Sequence, residues 1–358
     1  MTMPETKYKT DDLRIKAVQE VHSPATLFKD YPLTELAAET VFKARQDTHK
    51  ILHDEDDRLL VVVGPCSIHD TDAALEYAKR LSVLREELGD KLHIVMRVYF
   101  EKPRTSIGWK GLINDPDLTG QFNINEGLKV ARHLLLQLAE QGMPTATEFL
   151  DLISPQYIAD LIAWGAIGAR TTESQAHREL ASGMSCPIGF KNGTYGNLDV
   201  AINAIKSSSQ PHHFLSVTKE GHSAIFSTNG NEDCHIILRG GRSPNYDEES
   251  VDDALQQLDN AGLAKKLMVD FSHANSNKDY RNQPKVSSSI ATQIAKGEQG
   301  ICGVMIESHL VEGNQNGEGK TLKELTYGQS ITDACIGWQN TESVLRELAD
   351  AVDKRRSA

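Results

Sequence analysis

The chain has 358 residues with 39% hydrophobic and 25% charged content, a composition typical of globular proteins. Its 38 Lys and Arg against 50 Asp and Glu give a formal net charge of −12, which disfavours nucleic acid or an anionic membrane as a partner of the whole surface. The sequence shows no apolar run of roughly 18 residues, no secretory signal and five cysteines without CxxC spacing. These features predict a cytoplasmic protein with reduced thiols.

Residues 1–35 are predicted to form an arm, because Pro24 and Pro32 interrupt a stretch whose one candidate helix is 16–20. A helix without Gly or Pro is predicted at 36–52. Strand-like apolar runs follow at 59–64, 93–100, 144–150, 166–170, 186–192, 235–240, 266–273 and 303–309. Helical patterns between them lie at 72–88, 127–141, 155–164, 198–206, 250–261 and 286–296.

Alternating strands and helices predict a parallel sheet with right-handed crossovers. Eight such units in about 250 residues favour a closed (β/α)8 TIM barrel, which we expect to occupy 36–358. A doubly wound sheet is the competing architecture, but no GxGxxG follows the first strand. The segment 212–228 reads as an inserted β-hairpin with a Gly turn near the sixth strand, although its first half, HHFLSV, could itself be that strand.

A polar residue stands at or just after the end of each predicted strand. These residues are Cys66, Arg97, Glu148, Arg170, Lys191, Arg239, His273 and Glu307. Any one of them alone could be an ordinary surface residue at a strand end. Because the carboxyl ends of barrel strands share one mouth, where active sites are built, we expect all eight to converge.

Four of these residues are cationic, and the segment EKPRTS adds Lys102 and Arg104. Six positive charges in one mouth would repel each other strongly unless anions fill it. Arginine is suited to carboxylate and phosphate because its planar fork donates two parallel hydrogen bonds. Glycines in GAR, FKNG and LRGG stand near the cations, and we interpret them as sites of close backbone approach to a ligand. The mouth is therefore predicted to receive substrates with several negative charges.

The remaining polar set is Cys66, His273 and Glu307, joined by Asp333. Thiolate, imidazole and carboxylates together form a ligand set for a divalent transition metal. A nucleophilic Cys66 with His273 as its base is the alternative, but nearby carboxylates would raise the thiol pKa. Inert core packing of Cys66 and His273 also stays open.

Two other patterns are weaker matches to known motifs. Residues 314–321, NQNGEGKT, imitate a P-loop, but Asn314 stands where glycine is required and no strand leads into the segment. His49 and His53 have the i,i+4 spacing of a zincin helix without its glutamate. We expect these two histidines to lie on one exposed helix face.

Long motifs of the chain resemble the class I, microbial 3-deoxy-D-arabino-heptulosonate 7-phosphate (DAHP) synthases. They are GPCSIHD, MRVYFEKPRTSIGWKGLINDP, GARTTESQAHRELASG, PIGFKNGT, HIILRGG, DFSHANSNKD and ESHLVEGNQ. The resemblance runs from about Asp11 to the C-terminal helix. It implies a (β/α)8 barrel that condenses phosphoenolpyruvate with D-erythrose 4-phosphate and water, releasing phosphate at the first step of the shikimate pathway. It also implies one divalent ion per subunit, Mn²⁺, Fe²⁺, Co²⁺ or Zn²⁺.

The resemblance also implies roles for individual residues. The implied metal ligands are Cys66, His273, Glu307 and Asp333. The implied phosphoenolpyruvate contacts are Arg97, Lys102, Glu148, Arg170, Lys191 and Arg239, and the erythrose 4-phosphate contacts are Pro103, Arg104 and Thr105. Lys102 is the expected proton donor, with Asp333 or a metal-bound water as the alternative and His273 as a further catalytic residue.

Among these synthases the chain is most similar to the phenylalanine-sensitive type. The arm and hairpin are therefore expected to bind an aromatic amino acid effector and to help build a dimer or tetramer. The implied effector residues are Asp11, Asp12, Gln156, Ser185, Phe214 and Ser216. Phenylalanine is favoured, while Phe226, bulkier than the valine expected there, keeps tyrosine open. Packing within the hairpin is the alternative role for its two phenylalanines.

Two rival functions follow from the same residues. The first is another phosphoenolpyruvate-condensing barrel, the 3-deoxy-octulosonate 8-phosphate type, which the KPRTS segment disfavours. The second is a non-catalytic sensor of an aromatic amino acid, which the intact set of cationic and metal-ligating residues disfavours.

Overall fold

Eight parallel strands close into a barrel in the computed structural model, which describes residues 7–8, 10–104 and 108–357. The strands of the described chain are β1 (Leu59–Gly64), β2 (Leu92–Arg97), β3 (Thr145–Glu148), β4 (Trp164–Ile167), β5 (Ile188–Lys191), β6 (His213–Val217), β7 (Ser223–Ser227), β8 (Cys234–Leu238), β9 (Leu267–Asp270), β10 (Ile301–Glu307), β11 (Val311–Asn314) and β12 (Gln329–Ser330). Strands β1 to β5 and β8 to β10 pair in chain order, and β10 pairs back onto β1. The predicted TIM barrel is confirmed, and the doubly wound alternative is wrong.

Helices cover the outside of the barrel and follow most of its strands. They are α1 (Pro24–Asp30), α2 (Glu35–Leu52), α3 (Thr71–Glu87), α4 (Ile124–Glu140), α5 (Pro155–Ile158), α6 (Gln175–Ser182), α7 (Asp199–Ser208), α8 (Glu248–Asn260), α9 (Gln283–Ala295) and α10 (Trp338–Ser357). A capping residue fixes the start of α3. The Asp70 side chain accepts hydrogen bonds from the amides of Asp72 and Ala73, which have no partner within the first turn of the helix. No helix of the described chain is both long and apolar enough to span a bilayer.

Alternate residues of the barrel strands face two different cores. Leu60, Val62 and Met268 belong to an interior cluster that Ile51 and Leu52 of α2 also join. The intervening residues belong to a larger cluster with the surrounding helices. Helix α2 therefore closes the barrel at the amino ends of its strands, leaving the carboxyl ends for the mouth.

The arm and the region after β3 differ from the sequence predictions. Residues 16–20 form no helix, whereas α1 begins at Pro24. Proline is well tolerated at the first helical position, where its missing N–H needs no partner, and Ser23 caps the helix. The helix predicted at 155–164 is also wrong at its end, because α5 stops at Ile158 and β4 begins at the fully buried Trp164.

The inserted hairpin consists of β6 and β7, which pair antiparallel with Phe214 opposite Phe226. The two rings stack with centroids 6.1 Å apart. Because β8 supplies the sixth barrel strand, the alternative assignment of HHFLSV to that strand is wrong. The hairpin leaves Leu215 and Ile225 largely exposed on its other face.

Candidate active site

Two adjoining cavities of about 570 and 170 Å³ open at the carboxyl ends of the barrel strands. Both are lined by Arg170, Thr194, Arg239, His273 and Asp333, so we treat them together as the mouth. Eight residues predicted to contact substrate line the smaller cavity: Arg97, Lys102, Pro103, Arg104, Glu148, Arg170, Lys191 and Arg239. Thr105 lies outside the described residues. The strand-end residues Arg97, Glu148, Arg170, Lys191, Arg239 and His273 therefore converge here, as predicted.

Cys66, Glu307 and Asp333 bring one ligand atom each to within 4.8 Å of the others. Cys66 follows β1, Glu307 ends β10 and Asp333 belongs to the segment after β12. The Cys66 thiol donates a hydrogen bond to Asp333 Oδ2 at 3.6 Å. His273 lines the mouth but is not a member of this close group. Three of the four predicted metal ligands are thus brought together.

The electrostatics of this trio suit a bound cation. Burial, together with the nearby carboxylate of Glu307, raises the pKa of the Cys66 thiol to about 11. The nearby charges of Lys102 and Arg97 favour the thiolate but do not outweigh burial and the carboxylates, so a further positive charge is needed to stabilise it. A divalent ion supplies that charge, and thiolate with carboxylate oxygen is a recognised donor set for transition metals. The donors therefore fit the predicted metal.

Arg97 forms the floor of the mouth and is 1% exposed. Its guanidinium donates to Glu307 Oε1 at 3.0 Å, to Pro65 O at 3.0 Å and to Cys66 O at 3.2 Å. It also stacks 3.5 Å from the ring centroid of Tyr99. These contacts fix the ends of β1 and β10 relative to each other. Arg97 therefore orients two of the metal donors.

Lys102 lies beside the same donors, with Nζ 3.1 Å from Cys66 Sγ and 3.3 Å from Cys66 O. Burial alone would lower the pKa of this lysine, but the charge of Cys66 in its thiolate form, and next that of Glu307, outweigh burial and raise it. The ammonium form is therefore favoured, and it borders the cavity lined by the substrate-binding candidates.

Asp270 is a site residue that the sequence reasoning missed. It ends β9, is fully buried and accepts from Lys191 Nζ at 2.9 Å. His273 Nδ1 lies 2.9 Å from the same oxygen, Oδ2. Although burial opposes it, the charge of Lys191 and then that of His273 hold the pKa of Asp270 well below its usual range. A carboxylate ending an otherwise apolar, buried strand was the available signal.

This carboxylate explains how His273 is oriented. Ser272 Oγ hydrogen-bonds to Asp270 Oδ1 at 2.7 Å and lies 2.7 Å from His273 Nδ1. Metal-ligating histidines commonly donate the other ring nitrogen to a carboxylate, which fixes the tautomer. With Nδ1 held in this way, His273 keeps Nε2 as its possible ligand atom.

The six predicted cations are not equivalent. Arg97 and Lys191 are neutralised by buried carboxylates, so the expectation of six unpaired charges is corrected. Arg170 and Arg239 have no carboxylate within 4.0 Å among the described residues, although both line the mouth. Burial, with the nearby charge of Arg170 also contributing, lowers the pKa of Arg239. A pair of neighbouring arginines without counter-ions is suited to a phosphate group.

The glycines beside these cations allow close packing around the mouth. A Cβ on Gly168 would lie 2.3 Å from Glu148 Oε1, and one on Gly240, at φ +73°, would lie 2.7 Å from Ala274 Cβ. They permit neighbouring strands and loops to approach each other, and Gly168 also lines the smaller cavity, so close approach of its backbone to a ligand stays a prediction.

Comparison with known proteins agrees with this geometry. The sequence profile of the DAHP synthetase I family matches residues 36–346. The chain is 61% identical over 349 residues to the Phe-sensitive phospho-2-dehydro-3-deoxyheptonate aldolase of Escherichia coli K12, covering 98% of this chain and 99% of the relative. The chain belongs to the DAHP synthetase I family.

Two further members of the DAHP synthetase I family extend the comparison. The Trp-sensitive aldolase of E. coli K12 is 53% identical over 347 residues, covering 97% of this chain and 99% of that one. A solved structure of the Francisella tularensis SCHU S4 aldolase superposes with a TM-score of 0.93 at 54% identity, covering 96% and 99% of the two chains. The barrel and its insertions are therefore shared with a known structure of the family.

The predicted effector residues of this family member lie away from the mouth. Phe214 and Ser216 are on β6, Gln156 is on α5, and Lys219 in the hairpin turn donates to Gln156 O at 2.5 Å. The amide of Ala25 donates to Lys219 O at 2.7 Å, so the end of the arm also contacts the hairpin.

Three other predicted effector residues are less closely tied to this group. Asp11 and Asp12 are exposed, and the hydrogen bonds described for them stay within the arm. Ser185 lines a separate groove with Asn231 and Asp233. The structure thus joins the hairpin to α5 and the arm's end, without bringing Asp11 or Asp12 onto them.

Proposed function

We propose that this chain condenses phosphoenolpyruvate with D-erythrose 4-phosphate and water to form DAHP and inorganic phosphate, the first step of the shikimate pathway. The observation that carries the proposal is the juxtaposition, in one mouth, of a metal-donor group with two arginines that have no counter-ion among the described residues. A metal ion held by the donor group can activate an aldehyde, and the arginines can hold a phosphate group. Membership of the DAHP synthetase I family supports the same reaction.

A divalent ion completes the proposed site. Cys66, Glu307 and Asp333 would hold it, with His273 as a fourth ligand. When bound, it supplies Lewis acidity that makes an aldehyde carbon more electrophilic. The mixed thiolate, imidazole and carboxylate set suits Mn²⁺, Fe²⁺, Co²⁺ or Zn²⁺.

In this proposal, different cations bind different groups of the two substrates. Arg97, Lys102 and Lys191 contact the phosphoenolpyruvate carboxylate, while Arg170 and Arg239 bind its phosphate near Glu148. Pro103, Arg104 and Thr105 bind erythrose 4-phosphate. Holding two polyanions side by side offsets their repulsion and converts a bimolecular encounter into a positioned reaction.

Lys102 is the proposed proton donor, because its ammonium is favoured and lies beside the metal donors. As C3 of phosphoenolpyruvate bonds to the aldehyde carbon, Lys102 protonates the developing alkoxide, with Asp333 as the alternative acid. Water then adds to the cationic C2 and gives one proton to the Lys102 amine, which restores the ammonium, while the proton of the new C2 hydroxyl later leaves with phosphate. Cleavage of the C2–O bond to phosphate gives the C2 ketone, and phosphate leaves into the Arg170 and Arg239 pair.

We further propose feedback inhibition by an aromatic amino acid, with phenylalanine favoured. The higher identity to the Phe-sensitive relative than to the Trp-sensitive one supports this choice. Residues Asp11, Asp12, Gln156, Ser185, Phe214 and Ser216 would form the site, with an arm carboxylate pairing with the effector's ammonium. Exposed apolar residues of the arm, including Leu13, Ile15 and Val18, support its burial in a dimer or tetramer.

The test is to supply phosphoenolpyruvate with either erythrose 4-phosphate or arabinose 5-phosphate, in the presence of Mn²⁺, and to identify products by mass. We expect a heptulosonate phosphate and an equal amount of inorganic phosphate from the first pair. An octulosonate phosphate would instead support the rival synthase. Phenylalanine binding without turnover of either pair would identify a sensor and overturn the proposal.

A further inference from the structure

The histidine pair of α2 forms a cluster at the closed end of the barrel. His49 Nδ1 lies 2.7 Å and His53 Nε2 lies 2.9 Å from the same oxygen, Asp233 Oδ1. Asp233 directly precedes β8, so the cluster is at the amino ends of the strands, opposite the mouth. The two histidines lie on one face of α2, as predicted, with side chains that are 31% and 37% exposed, whereas their shared partner Asp233, which is 18% exposed, was not predicted.

We propose that His49, His53 and Asp233 bind a second divalent transition-metal ion, with zinc as the favoured ion. Their three ligand atoms all lie within 4.8 Å of one another. Tetrahedral zinc, with bonds of roughly 2.0–2.1 Å, separates neighbouring ligand atoms by about 3.3 Å. The carboxylate oxygen therefore needs to move away from each nitrogen by only about half an ångström.

The fold holds these donors before any ion binds. Spacing of four residues places both histidines on one face of α2. Asp233 is fixed by its backbone, since its amide donates to Asn231 Oδ1 at 3.0 Å and its carbonyl accepts from the amide of Ile188 at 3.0 Å. Asn231 itself is buried and donates to Cys186 O at 3.1 Å. Binding would thus require little reorganisation of the chain.

The chemistry of this cluster differs from that of the mouth. It offers two imidazole nitrogens and one carboxylate oxygen, a set that zinc binds together with a water molecule. Partial exposure of all three side chains leaves a path for the ion from solvent. A bound ion would link α2 to the start of β8, across 184 positions of sequence for His49. The ion would thereby help to hold α2 over the barrel end.

The test uses the full-length chain, stripped with a chelator and then loaded with Co²⁺ or Zn²⁺. Wild type should bind one ion more per chain than a His49→Ala/His53→Ala variant, as measured by elemental analysis after desalting. In the Co²⁺ protein, Cys66→Ser should abolish the near-ultraviolet sulfur-to-cobalt band while leaving the visible bands of the second site. The double histidine variant should keep the near-ultraviolet band and lose the visible bands of the second site. Each site thus has its own spectral feature, so failure of one assignment can be told from failure of the other.

Controls keep the test decisive if the double variant fails to fold. Asp233→Asn and His53→Gln preserve shape and hydrogen bonding but weaken the donor set, so each should also lose the second ion. His222→Ala, which removes an exposed histidine of the hairpin turn, should retain it. In a Cys66→Ser background, Zn²⁺ should raise Tm, and His53→Gln should remove that rise. Equal ion counts in wild type and both conservative variants would show a hydrogen-bonded cluster without a metal and overturn the proposal.

Discussion

The two ends of the barrel interior differ in the groups that they bury. At the mouth, Arg97 pairs with Glu307 and Lys191 pairs with Asp270, all of them at most 4% exposed. At the amino end, α2 fills the corresponding space with apolar side chains such as Ile51. Burying ion pairs is seldom more stabilising than burying well-packed apolar groups of the same volume. The comparison indicates that the barrel interior is shaped by chemistry at the mouth and by packing at the amino end, where the ionisable cluster of His49, His53 and Asp233 lies at the partly exposed rim.

Removal of one partner from a mouth ion pair should have the largest effect. Asp270→Asn leaves Lys191 buried without its counter-charge and frees His273 from the carboxylate that orients it. We expect the free energy of unfolding to fall by about 3 to 5 kcal/mol, measured by urea denaturation. The double variant Asp270→Asn/Lys191→Met should recover part of that loss. No loss in the single variant would contradict the buried-pair account.

A second buried carboxyl near the mouth should make stability depend on pH. Burial, and next the charge of Asp151, raise the pKa of Glu101 to about 7. Because the folded state holds this proton more tightly than the unfolded chain, stability should fall as pH rises from about 4.5 through 7. Glu101→Gln should match wild type near pH 4.5 and exceed it by up to about 3 kcal/mol at pH 8.

Urea denaturation of both proteins across this pH range measures the difference directly, since contributions from other groups cancel. The Gln side chain keeps an acceptor for the hydroxyl of Ser154, which donates to Glu101 Oε2 at 2.9 Å in wild type. A difference between the two proteins that does not change with pH would show that Glu101 ionises normally in the folded state.

Cys66→Ser tests the metal donors at the mouth. An alcohol is a poor substitute for a soft thiolate, so metal affinity and activity should each fall roughly 100-fold or more, given that even indirect ligand partners contribute 10–100-fold. Cys302→Ser is the matched control, because its buried side chain donates to Leu267 O at the amino end and serine retains that bond. Metal content and turnover should stay normal in the control. Similar losses in both variants would indicate general damage instead of a lost ligand.

The amino end should respond to substitution by a small loss of stability without any change in substrate affinity. Ile51→Val removes one methylene from the cluster that α2 forms with the barrel interior, and should cost about 1 kcal/mol of unfolding free energy. KM for both substrates should equal that of wild type. A raised KM for phosphoenolpyruvate would show that the two ends are coupled, which would break the comparison.

Much of the barrel could be predicted from sequence because its strands are continuous apolar runs, the pattern of strands buried on both faces. All eight polar strand ends line the mouth or belong to the metal-donor trio, with Glu148 and Arg239 among the former. His273 also lines the mouth, but apart from the trio. The apolar pattern of the strands and the position of each polar residue at a strand end were sufficient to predict this convergence, since parallel strands end at a common edge.

The features that were missed depend on partners far away in the chain. The role of Asp270 depends on its ion pair with Lys191, 79 positions earlier. The role of the two histidines of α2 depends on their shared contact with Asp233. Periodicity cannot report such contacts. The start of α1 was missed for a local reason, because Pro24 was interpreted as a helix breaker although proline also initiates helices.

The central claim is that the mouth performs a metal-dependent condensation, and removal of the metal tests it most directly. Chelator-stripped protein should leave the absorbance of phosphoenolpyruvate unchanged in the presence of erythrose 4-phosphate. Addition of Mn²⁺ should restore its consumption, with release of an equal amount of phosphate, and omission of erythrose 4-phosphate should stop it. Consumption at the full rate in the stripped protein, or none after Mn²⁺ is restored, would contradict the account.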